Sequence, residues 1–334
     1  MPLRLLVVVF PFALFACTPP DHAALLETKS YVQQNLDQLV TASTALCAAA
    51  PSAAWSASTH ASAVSTMRAE WKKARVAYER VEGSIAVLFP ELDESTDQRY
   101  DGFLENATDP NLFDDQVVTG IHGVERILFS DEISAEVKSF EEGLGSKYVA
   151  AAFPATDPQA ADFKNKLCAK LVTDVTKMRD DYRPLALDTA AAFRGVIGSM
   201  EEQLEKTTFA ATGEEESRYA RHTLADMKAN LEGAAKTYEA FRPWLQSKGE
   251  RALDERILAG LARVKAAYDA QAGEALPTPP ASWSSVSPSA ADLESPFGRL
   301  YTVIEAETKH TGDALVASML AAASALGIPE LPQD

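Results

Sequence analysis

The chain has 334 residues and a formal net charge of −17. An acidic surplus of that size excludes the basic stripe that nucleic-acid binding needs, so no nucleic-acid partner is expected. Abundant alanine, sparse glycine and few β-branched runs favour helix over sheet, and at roughly 150 residues per domain the length suggests two domains.

The N-terminus reads first. Met1 to Arg4 form a short basic start, and Leu5 to Phe15 form an apolar run too short to cross a bilayer but suited to a signal-peptide core. The run ends in Leu14-Phe15-Ala16-Cys17, which is similar to a lipobox. Residues 1–16 are then expected to be a lipoprotein signal peptide, Cys17 the lipidated residue, and 17–23 a tether. An ordinary signal peptide that happens to contain a cysteine is the competing reading. No later segment is apolar for long enough to span a membrane. The chain is therefore expected to be exported and held at a bacterial membrane surface by its lipid anchor.

Helical periodicity runs from about Ala24 to Ala48 and is interrupted by Pro51 and a Ser/Ala-rich stretch. A second helix is expected over about Ser62 to Phe89, with Trp71, Ala74, Tyr78, Val81 and Ile85 at core spacing. Residues 91–117 are polar and read as a long loop with room for one short helix. A helix follows from Thr119, a candidate N-cap, to about Ser130, and another from about Pro158 to Asp181. Pro184 is expected to mark the junction between an N-terminal bundle over 24–183 and a C-terminal bundle over 184–334. In the second half, helices are expected at about 185–206, 217–246, 249–272 and 288–325, with a Pro/Ser linker over 277–288. The fold class is all-α, two tandem four-helix-bundle-like subdomains. Cys47 and Cys168 both fall on expected helices. They can bridge only if those helices are neighbours, and spacing leaves that open.

Chemistry concentrates in three places. In Gly120-Ile121-His122-Gly123-Val124-Glu125, the histidine and glutamate are three residues apart and share a helix face. One imidazole and one carboxylate make half of a bundle metal site; spacing alone equally allows a hydrogen-bonded couple. Glu79 and Glu82 repeat the three-residue spacing, either as a solvated face or as carboxylates at the edge of the interior. Asp93, Asp97 and Asp101 lie four apart in the polar stretch, as loop solvation or as oxygen ligands lowered onto the site. Carboxylates with one histidine suit iron, zinc or manganese. HExxH, GxSxG and a phosphate-cradling glycine loop are all missing. His222 with Asp226 one turn on, and His310 after Glu305 and Glu307, read as structural.

These segments carry a resemblance. GIHGVERILF (Gly120 to Phe129) resembles the GxHxxE signature of the imelysin-like family, and WKKARVAYERVE (Trp71 to Glu82) looks like its W-x-x-A-R-x-A-Y-E-x-x-E helix. LDESTDQRYD (Leu92 to Asp101) is similar to the acidic stretch between them, and Thr212 to Pro243 is similar to the matching stretch of the EfeO- and EfeM-type members. The resemblance implies two helical bundles, a periplasmic place in iron uptake and a metal site. Its ligands would be His122, Glu125, Glu79, Glu82, Asp97 and Asp101. The length points to a short form without the cupredoxin domain. The expected function is capture of iron, or of zinc or another divalent metal, for a membrane permease, with a haem peroxidase as a further partner. A binding protein is expected in preference to an enzyme. The alternatives are an imelysin-type zinc metallopeptidase and a surface scaffold with a vestigial metal site.

Overall fold

A computed structural model describes residues 19–105 and 107–331. The expected signal peptide and Cys17 lie outside the described residues. Helix α1 spans Pro20–Ala49, so residues 20–23 of the expected tether are helical. Proline is favoured at a first helical position because the N–H it lacks would have no partner there. After α1 come α2 (Ala61–Glu79) and α3 (Glu82–Leu88), where one helix was expected. The ladder breaks because Val81 leaves helical geometry, with φ −128° and ψ −5°. The polar stretch folds into α4 (Pro90–Asp97) and α5 (Tyr100–Phe103). Helix α6 covers Gly120–Leu128. It is followed by α7 (Ala135–Glu142), which periodicity did not reveal and which the Ser134 hydroxyl caps.

The next helix starts at a capping box on Thr156 and Gln159. It runs as α8 (Asp157–Asp162), a π turn over Phe163–Leu167, and α9 (Cys168–Tyr182). Pro184 lies between α9 and α10 (Thr189–Phe209), which Asp188 caps. Helices α11 (Thr223–Ser247) and α12 (Arg251–Asp269) follow. The expected last helix is three: α13 (Ala290–Leu293), α14 (Pro296–Glu307) and α15 (Leu315–Leu326). Ser295 with Pro296 restarts the chain as an N-cap, and Gly312, at φ +69°, turns it between the last two helices. The fold is all-α, with no strand among the described residues.

The helices on either side of Pro184 share one apolar core that runs from Ala24 to Ile328. Helix α1 packs against α2, α9 and α11, while α10 lies across α3. The neighbouring of α1 and α9 answers the question left open for the cysteines: Cys47 and Cys168 form a disulfide, with Cα atoms 5.6 Å apart.

The crossing of α3 and α10 depends on two glycines. A Cβ on Gly195 would lie 1.9 Å from the Gly83 carbonyl oxygen, and one on Gly83 would lie 2.5 Å from that of Gly195. Backbone cannot yield as a side-chain tip can. Gly195→Ala is therefore expected to destabilise the protein by about 2–3 kcal/mol, at the upper end of overpacking costs. Denaturant unfolding measures this, and an unchanged midpoint would contradict the close crossing. The crossing matters because it brings α10 onto the acid-bearing start of α3.

Candidate metal centre

Helix α6 is buried on every face, and its entry is tight. Gly120 has φ +74°, and a Cβ there would lie 2.3 Å from the Thr96 carbonyl oxygen. Only glycine tolerates both. The Trp71 indole N–H donates to the Ile121 carbonyl at 2.9 Å, which ties α2 to α6. His122 and Glu125 are thus held among apolar neighbours, 1% and 0% exposed.

Their mutual geometry assigns unequal roles. His122 Nδ1 is 2.7 Å from Glu125 Oε2. Glu125 Oε1 accepts the backbone N–H groups of Tyr219 at 3.0 Å and Ala220 at 2.8 Å. Both carboxylate oxygens are therefore engaged by the protein, and Glu125 stands behind the imidazole as its orienting partner. An ionised carboxylate only accepts, so Nδ1 carries a proton. The other ring nitrogen, Nε2, is buried without a hydrogen-bond partner. It lies 3.5 Å from Asp97 Oδ1. Ligand atoms of Asp97, His122 and Glu216 all lie within 4.8 Å of one another, as do carboxylate oxygens of Glu79, Glu82, Asp97 and Glu216.

Of the six positions expected from sequence, His122, Asp97, Glu79 and Glu82 converge, and Glu125 supports them. Asp101 is turned away and pairs with Arg218 at 2.8 Å. Asp93 accepts the Tyr78 hydroxyl. Asp97 and Asp101 part because α4 ends at Asp97 and α5 begins at Tyr100, with Gln98 and Arg99 extended between them. The one-turn relation their spacing suggested is lost.

Two cations sit among the acids. Buried Arg75 of α2 pairs with Asp97, Glu79 and Glu216, and its Nε is 3.6 Å from Asp226. Lys206 of α10 reaches Glu79 and Glu82, each at 3.1 Å, and Glu216 at 2.8 Å. Buried carboxylates need such partners. Burial and Arg75 oppose a charge on His122, yet the facing carboxylates of Asp97 and Glu125 prevail and raise its pKa to about 9. Burial pushes Glu82 up to about 8 against the pull of Lys206. Burial works to raise Glu216 too, but Lys206, Arg75 and His122 overcome it and hold that carboxyl well below its ordinary range. A metal held by His122 would have to replace a proton on Nε2.

The cluster opens into a cleft of about 310 Å³ whose lining includes Asp93, Glu94, Glu202 and Glu205 beside the clustered acids. Such a lining raises the local concentration of cations. Sequence reasoning missed Glu216, Arg75, Lys206 and Asn230 as members of this site. Glu216 had a signal in the run Glu214-Glu215-Glu216, and Arg75 stood inside the quoted helix motif. Lys206 had none.

Glu125→Gln tests the orienting role. The amide oxygen can still accept from Tyr219 and Ala220, which leaves the NH₂ facing Nδ1 and drives the ring proton to Nε2. Metal affinity is expected to fall about 10- to 100-fold, as for other partners of a ligating histidine. Competition titration with a chromophoric chelator reads the change, and equal affinity would remove the role from Glu125.

A sequence model of the imelysin family matches residues 24–321. The iron uptake system component EfeO of Escherichia coli K12 is 28% identical over 223 residues, which are 67% of this chain and 47% of that protein, and EfeO of Shigella flexneri matches to the same extent. The chain thus spans about half the length of the curated relatives it matches. The crystal structure of an imelysin-like protein from Psychrobacter arcticum 273-4 superposes with a TM-score of 0.52 at 13% identity, over 94% of this chain and 96% of that one. At that identity the likeness speaks for the fold.

Proposed function

Because the chain belongs to the imelysin family, we propose that it is a periplasmic metal-binding protein, lipid-anchored through Cys17, that captures iron and passes it to a membrane permease. The observation that carries the reading is the buried, unpartnered Nε2 of His122 beside Asp97 and Glu216. One borderline nitrogen among hard carboxylate oxygens suits iron better than a thiolate metal. His122, Asp97 and Glu216 would hold the ion, Glu125 would orient the ring, and the acidic cleft would gather cations from solvent. The relatives named as iron uptake components support iron as the cargo; a membrane permease and a haem peroxidase are the partners this reading expects. A disulfide suits an oxidising compartment such as the periplasm. Among the described residues, no helix is long and apolar enough to cross a membrane, so attachment would rest on the lipid.

Titrating the purified protein with iron(II), a soluble iron(III) chelate and zinc(II) tests the proposal, with His122→Ala as the comparison. Iron binding that depends on His122 is expected. Iron binding equal in the two proteins would sink the assignment. Cleavage of a protein substrate by the zinc-loaded chain would move the reading to the metallopeptidase alternative.

A further inference from the structure

We infer that this centre has places for two cations and that the chain's own Lys206 fills one of them. The inference rests on the metal-binding reading above and specifies its capacity. The two ligand groups, Asp97/His122/Glu216 and Glu79/Glu82/Asp97/Glu216, share Asp97 and Glu216. Two cation places joined by common carboxylates is the geometry of two-metal sites, whose ions stand about 3.5–4 Å apart. In this chain the second place holds an ammonium.

Lys206 Nζ lies 3.1 Å from Glu79 Oε2, 3.1 Å from Glu82 Oε2, 2.8 Å from Glu216 Oε2 and 3.1 Å from Asn230 Oδ1. An ammonium has three protons to donate, yet oxygens of four residues surround it, as around a bound ion. The shell is itself braced. Asn230 Nδ2 donates to Glu79 Oε2 at 2.8 Å and Glu82 Oε2 at 2.7 Å. Gln203 donates to Asn230 Oδ1 at 2.9 Å, and the Tyr268 hydroxyl donates to Gln203 at 2.7 Å. On the His122 side Arg75 pairs with Asp97 and Glu216, and His122 Nε2 has no hydrogen-bond partner. Lys206 thus stands where a second cation would share Asp97 and Glu216 with the first. Lys206 therefore holds the capacity at one ion per chain.

Metal-free protein dialysed against manganese(II), followed by elemental analysis and electron paramagnetic resonance, tests this. The wild type is expected to hold about one ion, with the six-line spectrum of an isolated centre. Lys206→Met is expected to hold about two, with a spectrum broadened by coupling between neighbouring ions, and Lys206→Arg, which keeps the cation, about one. If the methionine variant does not fold, Lys206→Gln, which keeps a donor without the charge, decides by the same readout. A folded neutral variant that still holds one ion, or a wild type that holds two, overturns the inference while leaving the metal centre in place. A wild type that holds none overturns the metal-binding reading and this inference with it.

Discussion

Replacing His122 with alanine is expected to lower metal affinity by on the order of 100-fold or more, about 3 kcal/mol. The size follows from what the ring does. It supplies the one nitrogen of the proposed ligand set, already aimed by Glu125 and already stripped of water, so its affinity carries little cost of ordering. Without it the ion has only carboxylates, and Arg75 and Lys206 compete for each of them. Glu125 keeps its bonds to the Tyr219 and Ala220 N–H groups, so the loop that carries Glu216 stays docked. Circular dichroism and the unfolding midpoint of the metal-free variant control for damage to the fold. A folded variant with wild-type affinity would place the ion elsewhere.

Removing the Cys47–Cys168 bridge is expected to cost about 4–5 kcal/mol of stability. The two cysteines are separated by 121 positions, and cross-linking a loop of that length removes correspondingly large entropy from the unfolded chain. For a protein of this size the loss corresponds to a fall of about 7 °C in the unfolding midpoint. Scanning calorimetry of wild type and Cys47→Ala/Cys168→Ala, each with and without reductant, gives the measurement. The wild type is expected to lose stability in reductant and the variant to be indifferent to it. Equal midpoints for all four samples would mean that the bridge does not constrain the unfolded state.

Much of the helical layout was legible because helix formation is read from local pattern. The long segments over α1, α2, α9, α10, α11 and α12 each carry several turns of apolar spacing. The failures have local causes as well. The second helix breaks at Val81, α7 is a short amphipathic piece within an acidic stretch, and the last expected helix is cut by Ser295-Pro296 and by Gly312. Short breaks of this kind cost little periodicity and are easily passed over.

The candidate site divides along a different line. The sequence by itself determined that the chain is helical and acidic, that one helix carries His122 and Glu125 on one face, and that Glu79, Glu82 and Asp97 were worth placing beside it. Those are statements about neighbours within a turn or two. Only the tertiary structure decided which groups face a common point. Glu125 has both oxygens engaged because N–H groups 94 and 95 residues away occupy the one that His122 does not. Glu216 enters on that same loop. Lys206 looks like an ordinary helix lysine until the glycine crossing of α3 and α10 presses it among Glu79, Glu82 and Glu216. Spacing along a chain records what shares a helix face. Burial, charge balance and unpartnered atoms arise where distant segments meet, and a local pattern does not encode them.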